Sequence, residues 1–465
     1  MLIAEKDVSV SHKASDGLLD RLSDARRRSD ALFSIVRTES LYDRPISERH
    51  RIIFYVGHLE AFDWNLLSES ILGPDTMPDT TTVHPELDRL FAFGIDPVGG
   101  GLPTDLPSDW PSLETVRGYV HDIRSALDQR LAELTADVNA PTRDGFSLST
   151  LLNVAIEHRL MHVETLAYML HRLPHDAKVR VTNSSRLGGT ALPGSPVVPR
   201  SISIPAGVAP LGLSHDTGNF GWDNEFEAHT VNVPAFEIDQ YKVTNGQYLE
   251  FMADGGYDNR ALWSDDGWNW KTAQNITHPS LWSKETDKHK DGDGWLYLTM
   301  FDVVPLPLDR PVYVSQAEAS AYAKWTGKLL PTEAQWQRAA YGTGDESTRQ
   351  YPWGDEPPNA DHGNFDFHSW DPTAVNAFPK GQSGFGVDDM LGNGWEWTST
   401  VFAPFTGFQA FPFYRGYSAD FFDGKHFVMK GGSARTAACM LRPTFRNWFQ
   451  AHYQYVYAGF RCVSR

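Results

Sequence analysis

Cysteine is nearly absent. Cys439 and Cys462 are the two in 465 residues, too few for a disulfide framework and without the CxxC spacing of a structural zinc site, so a reducing compartment is expected. Cations are outnumbered: 41 Lys and Arg face 59 Asp and Glu, a formal charge of −18, and no basic stripe runs along the chain. That balance argues against a nucleic-acid or anionic-membrane partner, because phosphate contacts need clustered cations. Long apolar runs are missing too. The start, from Met1 to Asp7, lacks the apolar core of a signal peptide, and no later stretch approaches a membrane span. A soluble, cytoplasmic protein is expected.

What is present is aromatic and histidine-rich. The chain holds 15 Trp, 17 Tyr, 26 Phe and 17 His, and the aromatics crowd into the second half. At 465 residues the length exceeds one ordinary hydrophobic core, so two domains are expected. Residues 1–175 show helical periodicity. Leu18, Leu22, Ala25, Leu32 and Ile35 mark a first helix from Ser15 to about Thr38. Pro45-Ile46-Ser47-Glu48 reads as the opening of a second, running to Leu72. Ser112 to Val138 gives a third and Phe146 to Leu173 a fourth, with a Pro- and Gly-rich connection, Phe91 to Pro111, before the third. Four helices with one long connection describe a bundle whose interior can house a metal. Residues 176–200 read as a linker, and 201–465 as short β-like runs such as Ser201–Ile204 and His229–Val233 between Gly- and Asn-rich turns. In that half a helix is expected from Ser315 to Trp325, with Thr332 capping another.

The candidate chemistry begins on the fourth helix, at His158 and His162. Two histidines four apart stack one turn above each other, about 5–6 Å between Cβ atoms, which suits two imidazoles on one ion. Glu164 lies about 200° around the helix from His162 and is expected to play a supporting role. The plain alternative is a helix that carries two histidines in a histidine-rich chain. His58, on the second helix, is the third candidate. Three neutral imidazoles from two helices leave coordination positions open, which suits O2 chemistry at iron(II) or hydrolysis at zinc.

The second half resembles the formylglycine-generating-enzyme/sulfatase-modifying fold, a C-type-lectin-related α+β domain. The carriers are Ile204-Pro205-Ala206-Gly207, Tyr241-Lys242-Val243-Thr244-Asn245, Leu329 through Trp336, Tyr351-Pro352-Trp353-Gly354, Met390 through Thr398, Gly431-Gly432-Ser433 and Gly459-Phe460-Arg461-Cys462. The reactive cysteine pair of formylglycine formation is not reproduced in Ala434 through Met440, so that chemistry is not expected. The first half resembles the DinB-like four-helix bundle through His58 and the H-x3-H-x-E of His158, His162 and Glu164. A DinB-like bundle followed by a sulfatase-modifying domain is the order of the ergothioneine-type sulfoxide synthases.

That resemblance implies the following. His58, His158 and His162 hold a non-haem Fe(II) at the mouth between the domains. The substrates are hercynine, O2 and a thiol or selenosugar donor, and the product carries a new carbon–sulfur or carbon–selenium bond on the imidazole. Tyr414 aligns with the tyrosine that supplies a proton or hydrogen atom, and Trp448 with the aromatic lining the hercynine pocket. Met161 stands where ergothioneine synthases often carry a glutamine, and Phe449 where an acid can follow the pocket tryptophan. The 91–111 connection has no arginine, whereas members using γ-glutamylcysteine place a pair there for bidentate carboxylate recognition. Asp105 and Asp109 are candidates to accept hydrogen bonds from sugar hydroxyls, or to cap turns. Arg446 and Arg415 are the cations expected to reach the pocket from elsewhere. An ovothiol-type histidine sulfoxide synthase and a zinc-dependent thiol transferase are the alternatives.

Overall fold

A computed structural model describes residues 4–72, 84–94, 102–133, 145–180, 196–284, 294–345 and 347–464. The chain divides into two units, Met1–Val181 and Thr182–Arg465. Among the described residues, no helix is long and apolar enough to cross a membrane.

The first unit is helical: α1 Ala4–Phe33, α2 Ile52–Leu72, α3 Pro85–Phe93, α4 Leu113–Glu133 and α5 Leu148–His171. Helix α5 is its centre. Leu151, Leu152, Ala155, Ile156, Val163, Leu166, Ala167, Met169 and Leu170 are all buried, and a helix that buries apolar residues on more than one face belongs inside. Its start is fixed by Ser147, whose hydroxyl accepts the Thr150 amide at 3.1 Å, one of the four donors a helix N-terminus leaves without an intrahelical acceptor. Helix α1 packs on α5, and α2 packs on α3, α4 and α5.

Four expectations change here. The first helix runs over Ala4–Phe33, not from Ser15 to about Thr38. The second helix starts at Ile52, not at Pro45, because Ile52 N–H closes back on the Asp43 carbonyl at 3.1 Å and the fully buried Ile46 anchors the turn before it. The connection expected from Phe91 begins instead inside α3, a nine-residue helix with Pro85 in its first turn, where a missing N–H costs nothing. The expected linker lies mainly in 181–195, outside the described residues. Its first residues belong to the helical unit, with Arg37 N–H donating to Ala177 O at 3.0 Å and buried Lys178 donating to Leu170 O at 3.1 Å.

The second unit mixes small sheets and short helices. Strands β1 (Ser201–Ile204), β4 (Phe236–Asp239) and β12 (Val463–Ser464) form one sheet with β4 central, while β2 (Gly207–Leu211) pairs with β3 (His229–Val233). Strands β5 (Trp282–Lys284), β6 (Trp295–Leu298) and β7 (Val303–Pro305) form a third sheet. The fourth has the order β10 (Asn447–Gln450), β9 (His426–Lys430), β8 (Trp395–Val401), β11 (Ala458–Gly459). Helices α6 (Asn245–Ala253), α7 (Asp265–Ala273), α8 (Gln316–Trp325) and α9 (Glu333–Tyr341) surround them. Thr332 caps α9 as expected, and Ser315, expected as the first residue of its helix, is instead the cap of α8; each sits in a reciprocal capping box. The core gathers Trp336, Phe236, Ile238, Val387, Met390 and Leu441. The same unit buries the pair Arg461–Glu396, at 2.6 and 3.0 Å.

Candidate metal centre

Helix α2 supplies His58 and helix α5 supplies His158 and His162. One ring nitrogen from each lies within 4.8 Å of the others, and the ring centroids stand 4.5, 4.9 and 5.4 Å apart. Aromatic walls fix the rings: Phe62 stacks on His158 at 3.4 Å, Phe54 on His58 at 4.7 Å, and Tyr55 tilts against His162 at 5.6 Å. His58 Nδ1 lies 2.7 Å from the Phe91 carbonyl. An acceptor there demands that Nδ1 carry the proton, which leaves Nε2 with the lone pair.

Burial holds all three imidazoles neutral. His58 is lowered to about 4, chiefly by burial, against the opposing Phe91 hydrogen bond. His158 and His162 fall well below the ordinary value, from burial first and then from the neighbouring imidazoles and Arg159. Among the described residues, buried His162 Nδ1 meets no hydrogen-bond partner. A buried polar atom left so is costly unless something binds it. Three neutral nitrogen donors, with no carboxylate in the group, fit a first-row transition metal that keeps open positions.

On the same helix Met161 is half-buried and Glu164 is buried. In the second unit Tyr414 is half-buried, 6.4 Å from the Trp222 ring, and its phenol is pushed up to about 12 by burial and by Asp223. Asp223 itself ties down the segment that carries Tyr414, accepting from Ser418 Oγ at 2.6 Å and from Phe411 N at 3.4 Å. Trp448 stacks on Phe402 at 4.2 Å and meets Tyr417 edge-on at 5.3 Å. Phe449 stacks on Tyr453 at 4.7 Å.

Residues 190–465 match the sulfatase-modifying factor enzyme 1-like domain, and residues 21–166 match the DinB superfamily. Among similar proteins, the hercynine oxygenase of Mycolicibacterium thermoresistibile is 32% identical over 465 residues, 98% of this chain and 95% of that one. The hercynine oxygenase of Mycobacterium tuberculosis is 35% identical over 351 residues, 74% of this chain and 76% of that one. The chain belongs to the hercynine oxygenase family. It is, with them, an oxidative enzyme. Ergothioneine biosynthesis protein 1 of Neurospora crassa is 29% identical over 499 residues, covering 91% of this chain and 55% of the fungal protein.

In this hercynine oxygenase family member Asp105 and Arg446 differ from their expected settings, while Asp109 takes the turn-capping alternative. Asp105 is not open to a sugar hydroxyl. Its carboxylate is fully buried, bound by Arg44, by Arg51 Nε at 2.9 Å and by Trp110 Nε1 at 2.7 Å. Burial would raise its pKa, but Trp110 and the two guanidiniums hold it below the usual carboxylate range. Asp109 is a turn cap, accepting from Leu106 N at 2.7 Å. Arg446 is 3% exposed, with both arms on Glu333 at 2.9 and 3.1 Å, so its charge is matched within the second unit. Arg415 is exposed. Asp96 lies outside the described residues.

Sequence reasoning missed Gly57, Phe91 and the buried charges Glu60, Asp63 and Arg159 around the histidines. A signal for the charges existed: Arg159 interrupts the apolar run of α5, and Glu60 and Asp63 that of α2, which for charged residues means pairing.

Proposed function

We propose that this chain is an Fe(II)- and O2-dependent synthase that joins sulfur or selenium to the imidazole carbon of hercynine. The observation that carries this reading is the neutral trio His58, His158 and His162, with His158 buried and the other two half-buried. When bound, iron(II) supplies one-electron chemistry toward O2 and an affinity for a thiolate or selenolate. Overall, a ring C–H and a chalcogen–H bond are lost and a carbon–chalcogen bond forms; O2 takes up those two electrons and two protons together with two further electrons from the chalcogen, so that one oxygen atom leaves as water and the other ends on the chalcogen as its oxide.

The chain's own residues do the rest. The Phe91 carbonyl orients His58, and Phe62 orients His158, and the three nitrogens lie within 4.8 Å of one another. Tyr414 holds its phenolic proton across the physiological range, as a proton donor to reduced oxygen requires. Trp448, in its cluster with Phe402, Tyr417 and Phe421, offers the π surface that recognises a quaternary ammonium. Met161 and Phe449 are apolar where the family resemblance puts hydrogen-bonding partners of the substrate, so each offers the substrate apolar contact in place of a hydrogen bond. The donor in this reading is an uncharged selenosugar or a small thiol.

The test is metal analysis and oxygen uptake on protein purified anaerobically. Stoichiometric iron, O2 consumption that needs both hercynine and donor, and a coupled product by mass spectrometry support the reading. Bound zinc with no O2 uptake would instead indicate a thiol transferase. Turnover of histidine in preference to hercynine would indicate the ovothiol-type reaction.

A further inference from the structure

Arg159 follows His158 on α5 and is fully buried. Its guanidinium reaches across to α2 at the turn that bears His58. Nη2 donates to the Leu59 carbonyl at 3.0 Å and to Asp63 Oδ2 at 2.6 Å. Nη1 donates to Glu60 Oε1 at 2.9 Å, with Ser29 Oγ of α1 at 3.2 Å. Leu59 and Glu60 are the two residues after His58, so one rigid fork grips the backbone and the side chain immediately beyond one histidine from the position immediately beyond another. Arg124 of α4 closes the far side of Glu60 at 2.8 and 3.0 Å and reaches Asp30 of α1 at 2.7 Å. It touches neither α5 nor the α2 backbone in these bonds.

A buried ion network of this size is not explained by stability alone, since well-packed apolar residues in its place are often as stable or more so. What a planar guanidinium adds is direction: several donors in fixed relation, which a lysine ammonium cannot reproduce.

We propose that Arg159 is a positioning residue for the metal centre, locking the α2 turn of His58 to the α5 turn of His158 at the separation the three nitrogens need. This rests on the three-histidine reading above. The lock explains why the charge sits at the centre of the helical unit rather than at its rim, and why its partners are Leu59, Glu60 and Asp63 and no more distant part of α2.

The experiment titrates the full-length apoprotein with Co(II), reading affinity and the visible absorption band, beside far-UV circular dichroism and thermal unfolding. Arg159→Lys keeps the charge and loses the fork. It is expected to remain helical with a lower thermal midpoint, to bind Co(II) about 10–100-fold more weakly, and to show a shifted band. Arg124→Lys should lower the midpoint while leaving affinity and band at wild-type values. Arg159→Lys with wild-type affinity and band overturns the proposal, and so does an equal loss of affinity in Arg124→Lys. Should Arg159→Lys fail to fold, Asp63→Leu removes the acceptor that Nη2 uses beside the Leu59 carbonyl while roughly keeping the side-chain volume, and unchanged Co(II) affinity there overturns the proposal as well. His158→Ala separates the two levels of the argument. If it binds Co(II) as wild type does, the three-histidine reading falls and this inference with it. If it loses Co(II) while Arg159→Lys does not, only the inference falls.

Discussion

The ring of Phe91 fills the space a side chain at Gly57 would occupy: a Cβ there would lie 2.4 Å from Phe91 Cγ. Helix α3 therefore sits directly on α2, one residue before His58, and the same Phe91 holds the His58 imidazole through its carbonyl. Phe91 is fully buried and packs against Tyr119 at 5.2 Å, so the ring has little room to retreat.

Gly57→Ala should consequently destabilise, even though alanine is the better helix former by about 1 kcal/mol. Overpacking costs about 1–3 kcal/mol, and moving Phe91 moves the acceptor that sets the His58 tautomer. A lower thermal midpoint together with a weakening of metal affinity of about 10-fold or more is expected. An apoprotein as stable as wild type with unchanged metal affinity would show that α3 does not position His58.

Glu60 gives a pH signature. Burial would raise its pKa, but Arg159 and Arg124 outweigh burial and lower it to about 2. Its folded value lies below the unfolded one, so its stabilisation is complete above about pH 4.5 and is lost as pH falls toward 2. Glu60→Gln should cost about 3–5 kcal/mol near pH 7, because two guanidiniums lose a buried counter-charge. In urea unfolding of the apoprotein, the gap between wild type and variant should stay level from pH 7 to 5 and narrow at pH 3. A gap of constant size through pH 3 would contradict the assignment.

The sequence made the histidine pair legible because i and i+4 spacing is a local, geometric signal, and the aromatic-rich second half was legible through its motifs. The capping boxes of α8 and α9 follow from local patterns as well. What could not be read was non-local or carried by the backbone. The Phe91 carbonyl that orients His58 comes from 33 positions away and has no residue code. Arg44 and Arg51 meet Asp105 across 61 and 54 positions, so a connection without arginines of its own nevertheless has two arginines bound to it. Helix α3 escaped notice because nine residues beside a Gly- and Pro-rich stretch give little periodicity.

Tyr414 is predicted to act through its proton rather than its ring. Tyr414→Phe keeps the packing against Trp222 and Tyr417, so KM for hercynine should change little. Turnover to coupled product should fall about 10²–10⁴-fold, the usual range for losing a positioned acid, with oxidised donor accumulating in its place. Because the phenol titrates only near 12, Tyr414 should contribute no alkaline limb to the rate between pH 6 and 10. Product mass spectrometry across that range checks both statements, and an unchanged yield of coupled product would return Tyr414 to a packing role.

The donor can be predicted from where the arginines are already spent. No Lys or Arg stands between Leu102 and Pro111, and among the described residues the two arginines paired with this connection, Arg44 and Arg51, are bound to the buried Asp105. Arg446 is bound to Glu333. A γ-glutamylcysteine donor brings two carboxylates that would lie desolvated without a matching guanidinium, at a cost of several kcal/mol, and each 1.4 kcal/mol is about tenfold in specificity. With hercynine fixed, an uncharged selenosugar or thiosugar, or else cysteine, should therefore exceed γ-glutamylcysteine in kcat/KM by about tenfold or more. Competition assays with paired donors measure that ratio directly. A preference for γ-glutamylcysteine would require a cation not already paired, and exposed Arg415, one residue after Tyr414, is the candidate. Arg415→Ala would then be expected to abolish that preference while leaving turnover of the uncharged donor intact.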